Sequence, residues 1–155
     1  KVNTPTSADR SLRIEDTSST LTAEATQTFA ALSGTVVVEY KLMPGQNNVS
    51  LGGPYVFDTG TNDSGVVVFS SDGNIKAYNG ATAASLQSYS AGVWYDIKLV
   101  LNTTTDKYDV YINGILKGNQ YNFRKAVSSI SKLKYFFGTT ATGTMNVDDV
   151  RVYVE

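Results

Sequence analysis

The strongest constraint on this chain is a series of short stretches in which apolar and polar residues alternate. Over residues 35–44, one phase holds Val36, Val38, Tyr40 and Leu42, and the other phase holds Val37, Glu39 and Lys41. Because successive side chains of a strand point to opposite faces, this pattern predicts a strand with one buried face. Comparable stretches recur along the chain and are divided by Gly, Asn, Asp and Ser, which are turn-forming residues.

Two of these stretches predict hairpins. "GVVVFSSDGNIKAYNG" has the turn sequence "SDGN" at its centre, and "WYDIKLVLNTTTDKYDVYING" joins two alternating runs. Many short strands without intervening helices predict an all-β, antiparallel two-sheet β-sandwich or jelly roll. We expect one sandwich domain over residues 10–155. The polar residues 1–9 read as a linker remnant or an N-terminal arm.

Composition excludes several function classes. The 155 residues include no His and no Cys, which removes imidazole catalysis, Cys or Ser nucleophiles with a His base, and the usual zinc sites. A net charge of −1 gives no basic footprint for nucleic acid, and no apolar run is long enough to cross a membrane. Only four Glu occur, without the clustered E-x-D-x-x-E pattern of jelly-roll glucanases. We therefore expect that the domain is not an enzyme. The alternative is a polysaccharide lyase or glycosidase that uses Tyr and Arg for catalysis.

Two carboxylates stand in apolar rows near opposite ends of the chain. Asp16 is in phase with Leu12 and Ile14, and Asp148 is in phase with Val150 and two further valines. A buried carboxylate without partners is costly, and two that meet repel each other. A calcium ion, which prefers six to eight oxygen ligands, removes both difficulties. The alternative is that each Asp starts a turn by bonding backbone N–H groups.

Several aromatic and polar residues fall in the outward phase of predicted strands or in loops. Aromatic faces and polar side chains are the groups that recognise sugar rings. Arg124 is the strongest candidate, because a guanidinium can donate two hydrogen bonds at once to a carboxylate or to neighbouring hydroxyls. If Arg124, Lys76 and Lys98 faced one cleft, an acidic glycan such as a pectin fragment would fit. The candidate ligand-binding residues are Arg124, Tyr121, Tyr111, Tyr78, Tyr55, Asn113 and Lys76.

Four stretches together resemble a known family. "WYDIKLVLN", "KYDVYING" and the closing "VDDVRVY" resemble concanavalin A-like and laminin-G-like jelly rolls, and "RSLRIEDTS" is similar to the first strand of carbohydrate-binding modules on that fold. The resemblance implies a non-catalytic module that targets an attached catalytic domain to plant or microbial polysaccharide. It also implies a structural calcium between the first and last strands, and a secreted or cell-surface location. The alternative is a structural or adhesion spacer that binds no glycan.

Overall fold

The structure, a computed structural model, describes Val2, Asn3 and residues 10–155. Every regular element in this part of the chain is a β-strand, so none of it forms a helix that could cross a membrane. The strands are β1 (Val2–Asn3), β2 (Arg10–Asp16), β3 (Glu24–Leu32), β4 (Thr35–Pro44), β5 (Leu51–Phe57), β6 (Asp63–Phe69), β7 (Asn74–Asn79), β8 (Thr82–Ser88), β9 (Tyr95–Asn102), β10 (Lys107–Ile112), β11 (Ile115–Asn122), β12 (Ile130–Phe137) and β13 (Gly143–Val154).

The strands form two antiparallel sheets that pack face to face. The seven-stranded sheet has the order β1-β2-β13-β4-β9-β10-β11, and the six-stranded sheet has the order β3-β12-β5-β6-β7-β8. This arrangement confirms the predicted β-sandwich. The predicted linker or arm over residues 1–9 lies outside the described residues, apart from Val2 and Asn3, which pair with Ser11 and Arg10.

Alternation along the strands builds the core between the sheets. Val36, Val38, Tyr40 and Leu42 of β4 are buried, and they face the inward residues of the six-stranded sheet. Five aromatic side chains are also buried in this core: Tyr40, Tyr95, Tyr108, Phe69 and Phe137. Each fully buried large apolar side chain stabilises the fold by about 1.5–3 kcal/mol, which makes this inter-sheet layer the main source of stability.

The two sheets are joined along one side by the segment that follows β11. The backbone N–H of Gly80 donates to the carbonyl of Asn122, so β11 of one sheet contacts the end of β7 in the other. The chain then crosses over. The N–H groups of Arg124 and Lys125 donate to the carbonyls of Ser64 and Asp63 on β6. Arg124 therefore lies on the six-stranded sheet, although the strand before it belongs to the other sheet.

A bulge in β13 reverses its side-chain phase. Asp148 pairs with Lys41 and Arg151 pairs with Glu39, so two residues of β13 face one residue of β4. Asp149, inside the bulge, has a left-handed φ of 50°. Such an insertion shifts alternation by one residue. The prediction that Asp148 shares the inward row of the valines is therefore wrong, because Asp148 lies beside Lys41 on the outer face.

Candidate functional site

The outer face of the six-stranded sheet carries a cluster of aromatic rings. Tyr55 and Phe57 project from β5, Tyr78 from β7 and Phe136 from β12, because each is in the phase opposite to the core residues of its strand. We call these four residues the aromatic face. All four are half-buried, so each ring is held by its neighbours and still presents surface to solvent. The candidate residues were predicted to lie on strands or in loops, and Tyr55 lies on a strand.

The rings are locked by contact with one another. Tyr55 meets Phe136 edge to face with centroids 4.8 Å apart, and it stacks on Phe57 at 6.3 Å. Both arrangements are favoured by the quadrupoles of aromatic rings. Gly52 makes room for this packing, because a Cβ atom there would lie 2.6 Å from Cε1 of Phe136. Burial raises the pKa of Tyr55, and the nearby Tyr78 raises it further.

Arg124 lies between two of the rings and is held by Asp63. Its Nη1 donates to Oδ2 of Asp63 at 2.7 Å. Its Cζ is 4.7 Å from the centroid of the Tyr78 ring and 5.9 Å from that of Tyr55. A guanidinium at these distances is attracted by the ring faces. The ion pair and the two rings together fix the direction in which the remaining N–H donors of Arg124 point.

The core supports Tyr78 from below. The hydroxyl of Tyr108, which is fully buried, donates to the backbone carbonyl of Tyr78. Burial raises the pKa of Tyr108 well above its ordinary value, so this phenol remains a donor at any physiological pH. The backbone beneath the Tyr78 ring is therefore fixed by a contact that crosses from one sheet to the other.

Three lysines border the rings. Lys76 pairs with Asp72, and this hydrogen bond is the main reason that the pKa of Asp72 falls to about 2. Lys134 pairs with Glu24 and lies over the Phe136 ring at 5.4 Å. Lys132 donates to the carbonyl of Gly60 at 2.6 Å and lies 4.8 Å from the centroid of Phe57. The three ammonium groups are thus held by these partners at the rim of the aromatic face.

A depression of about 300 Å³ opens between the rings. Tyr55 and Phe136 line one side and Tyr78 and Lys76 the other, while the short residues between them, Gly52 and Val68, line its floor. Pockets that bind ring-shaped polar molecules combine apolar walls with a few placed hydrogen-bonding groups. The depression and the adjacent Arg124–Asp63 pair have this composition.

A wider groove of about 610 Å³ crosses the outer face of the seven-stranded sheet. Its charged lining residues alternate in sign, and Lys41 pairs with Asp149 at 2.9 Å. Of the aromatic residues that line it, Tyr40 is only 2% exposed, which leaves Tyr111 as the ring that a ligand could contact. The groove is larger, but the depression is the better glycan candidate because several accessible rings meet there.

The structure brings together four of the seven predicted ligand residues: Arg124, Tyr78, Tyr55 and Lys76. The other three lie elsewhere. Tyr111 is on the outer face of the seven-stranded sheet. Asn113 is at the turn between β10 and β11, where its Oδ1 accepts from the N–H of Asp96 at 2.9 Å. Tyr121 packs edge to face against the buried Tyr108, with centroids 6.1 Å apart. Lys98 does not share a cleft with Arg124, because it lies on the seven-stranded sheet and pairs with Glu155.

The two carboxylates predicted to share a calcium ion do not meet. Asp16 pairs with Gly143 and Asp148 lies five positions farther along β13, which is roughly 16 Å at 3.3 Å per residue. The Asp16 carboxylate accepts from the N–H groups of Ser18 at 2.9 Å and Ala23 at 2.8 Å. Within residues 10–155, three or more acidic side chains do not gather anywhere as a metal site. These residues therefore do not fit a shared calcium site between the first and last strands.

Three residues of the site were missed from the sequence: Asp63, Phe57 and Phe136. Phe136 and Phe57 follow the outward phase of strands whose inward residues are clear, so alternation contained a signal for both. For Asp63 the signal is absent, because its partner is 61 positions away and a bulge in β6 sets its direction.

Solved structures with the same fold include sialidases and a galectin. A sialidase matches 93% of this chain with a TM-score of 0.79 at 20% identity, and the match spans 15% of that protein. Trypanosoma rangeli sialidase in complex with sialic acid matches 92% of this chain and 25% of its own, with a TM-score of 0.66 at 14% identity. A tetrameric galectin from the ball sponge Cinachyrella matches 84% of this chain and 99% of its own, with a TM-score of 0.62 at 14% identity. At these identities the likeness shows the fold alone.

The sequence itself identifies the family. No curated protein sequence matches the chain significantly. The family described as "Sialidase-like, CBM domain", where CBM stands for carbohydrate-binding module, matches residues 4–148. This match spans nearly the whole sandwich and includes every residue of the aromatic face. The chain belongs to the family of sialidase-like carbohydrate-binding module domains.

Proposed function

We propose that this domain is a non-catalytic module that binds glycan on the aromatic face and holds an attached catalytic domain against polysaccharide, in a secreted or cell-surface protein. The observation that carries the proposal is the position of Arg124, pinned by Asp63 between the rings of Tyr55 and Tyr78. The site is assembled from three separate parts of the chain, and its side chains are already fixed by mutual contacts.

The physical basis is the match between this surface and a sugar ring. A pyranose presents an apolar face of C–H groups and a rim of hydroxyls. The rings of the depression offer apolar surface, and the guanidinium, which has five N–H donors, uses one of them on Asp63. Because the rings and the guanidinium are held in place before the ligand arrives, little side-chain entropy is lost on binding.

The role in targeting is supported by the size of the domain relative to its structural neighbours. The chain spans only 15% of the sialidase and 25% of the Trypanosoma rangeli enzyme that it matches. In those proteins a sandwich of this fold is one part of a much larger chain. A binding module joined to a catalytic domain raises the local concentration of polysaccharide around that domain.

Affinity electrophoresis tests the binding. Gels containing single polysaccharides, neutral or acidic, should retard the wild-type domain in at least one case. Tyr78→Ala should abolish this retardation, because the loss of one ring that stacks on the ligand costs about 1–3 kcal/mol of binding free energy. Tyr111→Ala is the matched control, since it removes a tyrosine from the outer face of the other sheet and should migrate as wild type.

Two outcomes would contradict the proposal. Wild-type protein that migrates equally in every gel would favour the spacer or adhesion alternative. A loss of retardation in Tyr111→Ala, but not in Tyr78→Ala, would place the site on the seven-stranded sheet. Targeting is tested with the domain fused to a fluorescent protein, which should deposit on insoluble polysaccharide particles only when Tyr78 is intact.

A further inference from the structure

We infer that the glycan bound on the aromatic face is uncharged, and that the Arg124–Asp63 pair recognises sugar hydroxyls instead of a carboxylate. This inference rests on the proposed function and narrows it to a ligand class. It also argues against the acidic glycan that would have fitted if Arg124, Lys76 and Lys98 had faced one cleft. The four cations that contact these rings or line the depression each have a partner in the structure.

The positive charges on the face are matched by carboxylates. Arg124 pairs with Asp63, and Lys76 and Lys134 pair with Asp72 and Glu24. The fourth cation beside these rings, Lys132, donates to the Gly60 carbonyl. The pKa of the Asp58 carboxyl is lowered mainly by a hydrogen bond from Asn62, and the nearby charge of Lys132 lowers it further. Around the aromatic face the charges therefore nearly cancel. The electrostatic potential of this face consequently gives an anionic ligand little attraction.

The Asp63 carboxylate makes an acidic ligand unfavourable at the one cation between the rings. The side chain of Asp63 is only 15% exposed, whereas that of Arg124 is 32% exposed. A ligand carboxylate bound to Arg124 would lie next to this partly buried negative charge and be repelled by it. If Arg124 turned away to the ligand, Asp63 would keep its charge without a partner. An uncompensated charge in a partly buried site is unfavourable, so this movement would cost free energy.

A hydroxyl group suits the pair because it is both donor and acceptor. A sugar hydroxyl can accept from a free N–H of Arg124 while it donates to an oxygen of Asp63. Neighbouring hydroxyls on one ring can take these two roles at once. The ring's apolar face would then lie toward Tyr55, Tyr78 and Phe136, which line the adjacent depression.

The test compares neutral and acidic polysaccharides with wild type and Asp63→Asn. The neutral panel is galactan, xylan, mannan and β-glucan, and the acidic panel is polygalacturonate, alginate and sialylated mucin. We expect wild type to be retarded by a member of the neutral panel only. That retardation should be the same at low and high salt, since screening weakens charge pairing and not neutral hydrogen bonds.

Asp63→Asn is nearly isosteric and should weaken neutral-glycan binding on the order of tenfold, because one acceptor becomes a donor. Retardation of wild type by the acidic panel alone, strengthened in Asp63→Asn and lost in high salt, would overturn the inference and leave glycan binding intact. No retardation in any gel would overturn the proposed function, and this inference with it. If Asp63→Asn does not fold, the panel and salt comparison on wild type still decides the question.

Discussion

Nη1 of Arg124 lies 2.7 Å from Oδ2 of Asp63, although 61 positions separate the two residues in the chain. The contact exists because the segment after β11 crosses from the seven-stranded sheet and pairs with the start of β6. The same crossing places the guanidinium over Tyr78, whose strand lies next to β6 in the sheet. One change of sheet thus assembles the charged part of the site.

The geometry of this pair predicts that Arg124→Lys weakens glycan binding about tenfold while the domain stays folded. Lysine keeps the charge but lacks the planar fork that can bond Asp63 and a ligand at the same time. Affinity electrophoresis measures binding, and a thermal melt checks the fold. Lys125→Ala is the matched control, because it alters the adjacent residue and leaves the guanidinium in place. Wild-type affinity in Arg124→Lys would show that the fork is not used.

Gly52→Ala should disturb the aromatic face from beneath. The added Cβ would lie 2.6 Å from the Phe136 ring, so the ring must move. We expect a loss of about 1–3 kcal/mol in the free energy of unfolding, together with weaker glycan binding. Gly138→Ala is the comparison, since its Cβ would meet its nearest atom at an ordinary 3.6 Å. Equal melting midpoints for the two variants would contradict this prediction.

Asp16 should stabilise the start of the sandwich through backbone contacts instead of a metal ion. Its carboxylate, 4% exposed, accepts from Ser18 and Ala23, so Asp16→Ala leaves two donors without their partner. We expect a loss of about 1–3 kcal/mol in urea denaturation. The calcium prediction is checked on the same samples. A chelator should leave the wild-type midpoint unchanged, and a fall in that midpoint would restore the structural ion.

Stability should decline at alkaline pH because of the buried tyrosines. Burial raises the pKa of Tyr40, Tyr108 and Tyr135 well above the ordinary value near 10, and it raises that of Tyr89 to about 12. Unfolding lets these phenols ionise, so their contribution is complete below about pH 10 and is lost as the pH rises through the folded-state values. Each contributes a slope of about 1.4 kcal/mol per pH unit.

Urea denaturation at several values between about pH 8 and pH 11.5 measures this decline. Absorbance of the phenolate near 295 nm should rise in step with unfolding, because the buried rings cannot ionise while the fold persists. A free energy of unfolding that stays constant above pH 10 would show that these hydroxyls ionise without unfolding.

Much of the fold could be predicted because alternation reports burial directly. In β4 the inward residues Val36, Val38 and Leu42 are all fully buried, as their phase requires, although Val37 of the opposite phase is buried as well. The prediction failed where a bulge changed the phase. In β13 the bulge at Asp149 turns Asp148 outward, although its spacing from Val150 indicated the core. A register shift between β10 and β11 similarly accompanies the inward position of Tyr121.

The candidate site was predictable where it follows strand phase and unpredictable where it depends on contacts distant in sequence. Tyr78 and Lys76 were recognised as outward from one strand alone, and the structure places both at the depression. Asp63 was missed, because nothing local marks it as the partner of Arg124. The separation of Asp16 and Asp148 was unpredictable for the same reason, since it depends on the register of β2 against β13.

The crossing after β11 links the candidate site to completion of the fold. Arg124 reaches the rings only when the segment after β11 is docked on β6, so the candidate site does not exist in either sheet alone. A sandwich in which the segment after β11 has not docked on β6 would expose the rings without a guanidinium between them. If the domain binds glycan as we propose, adhesion to glycan would be confined to molecules in which the two sheets have closed on each other.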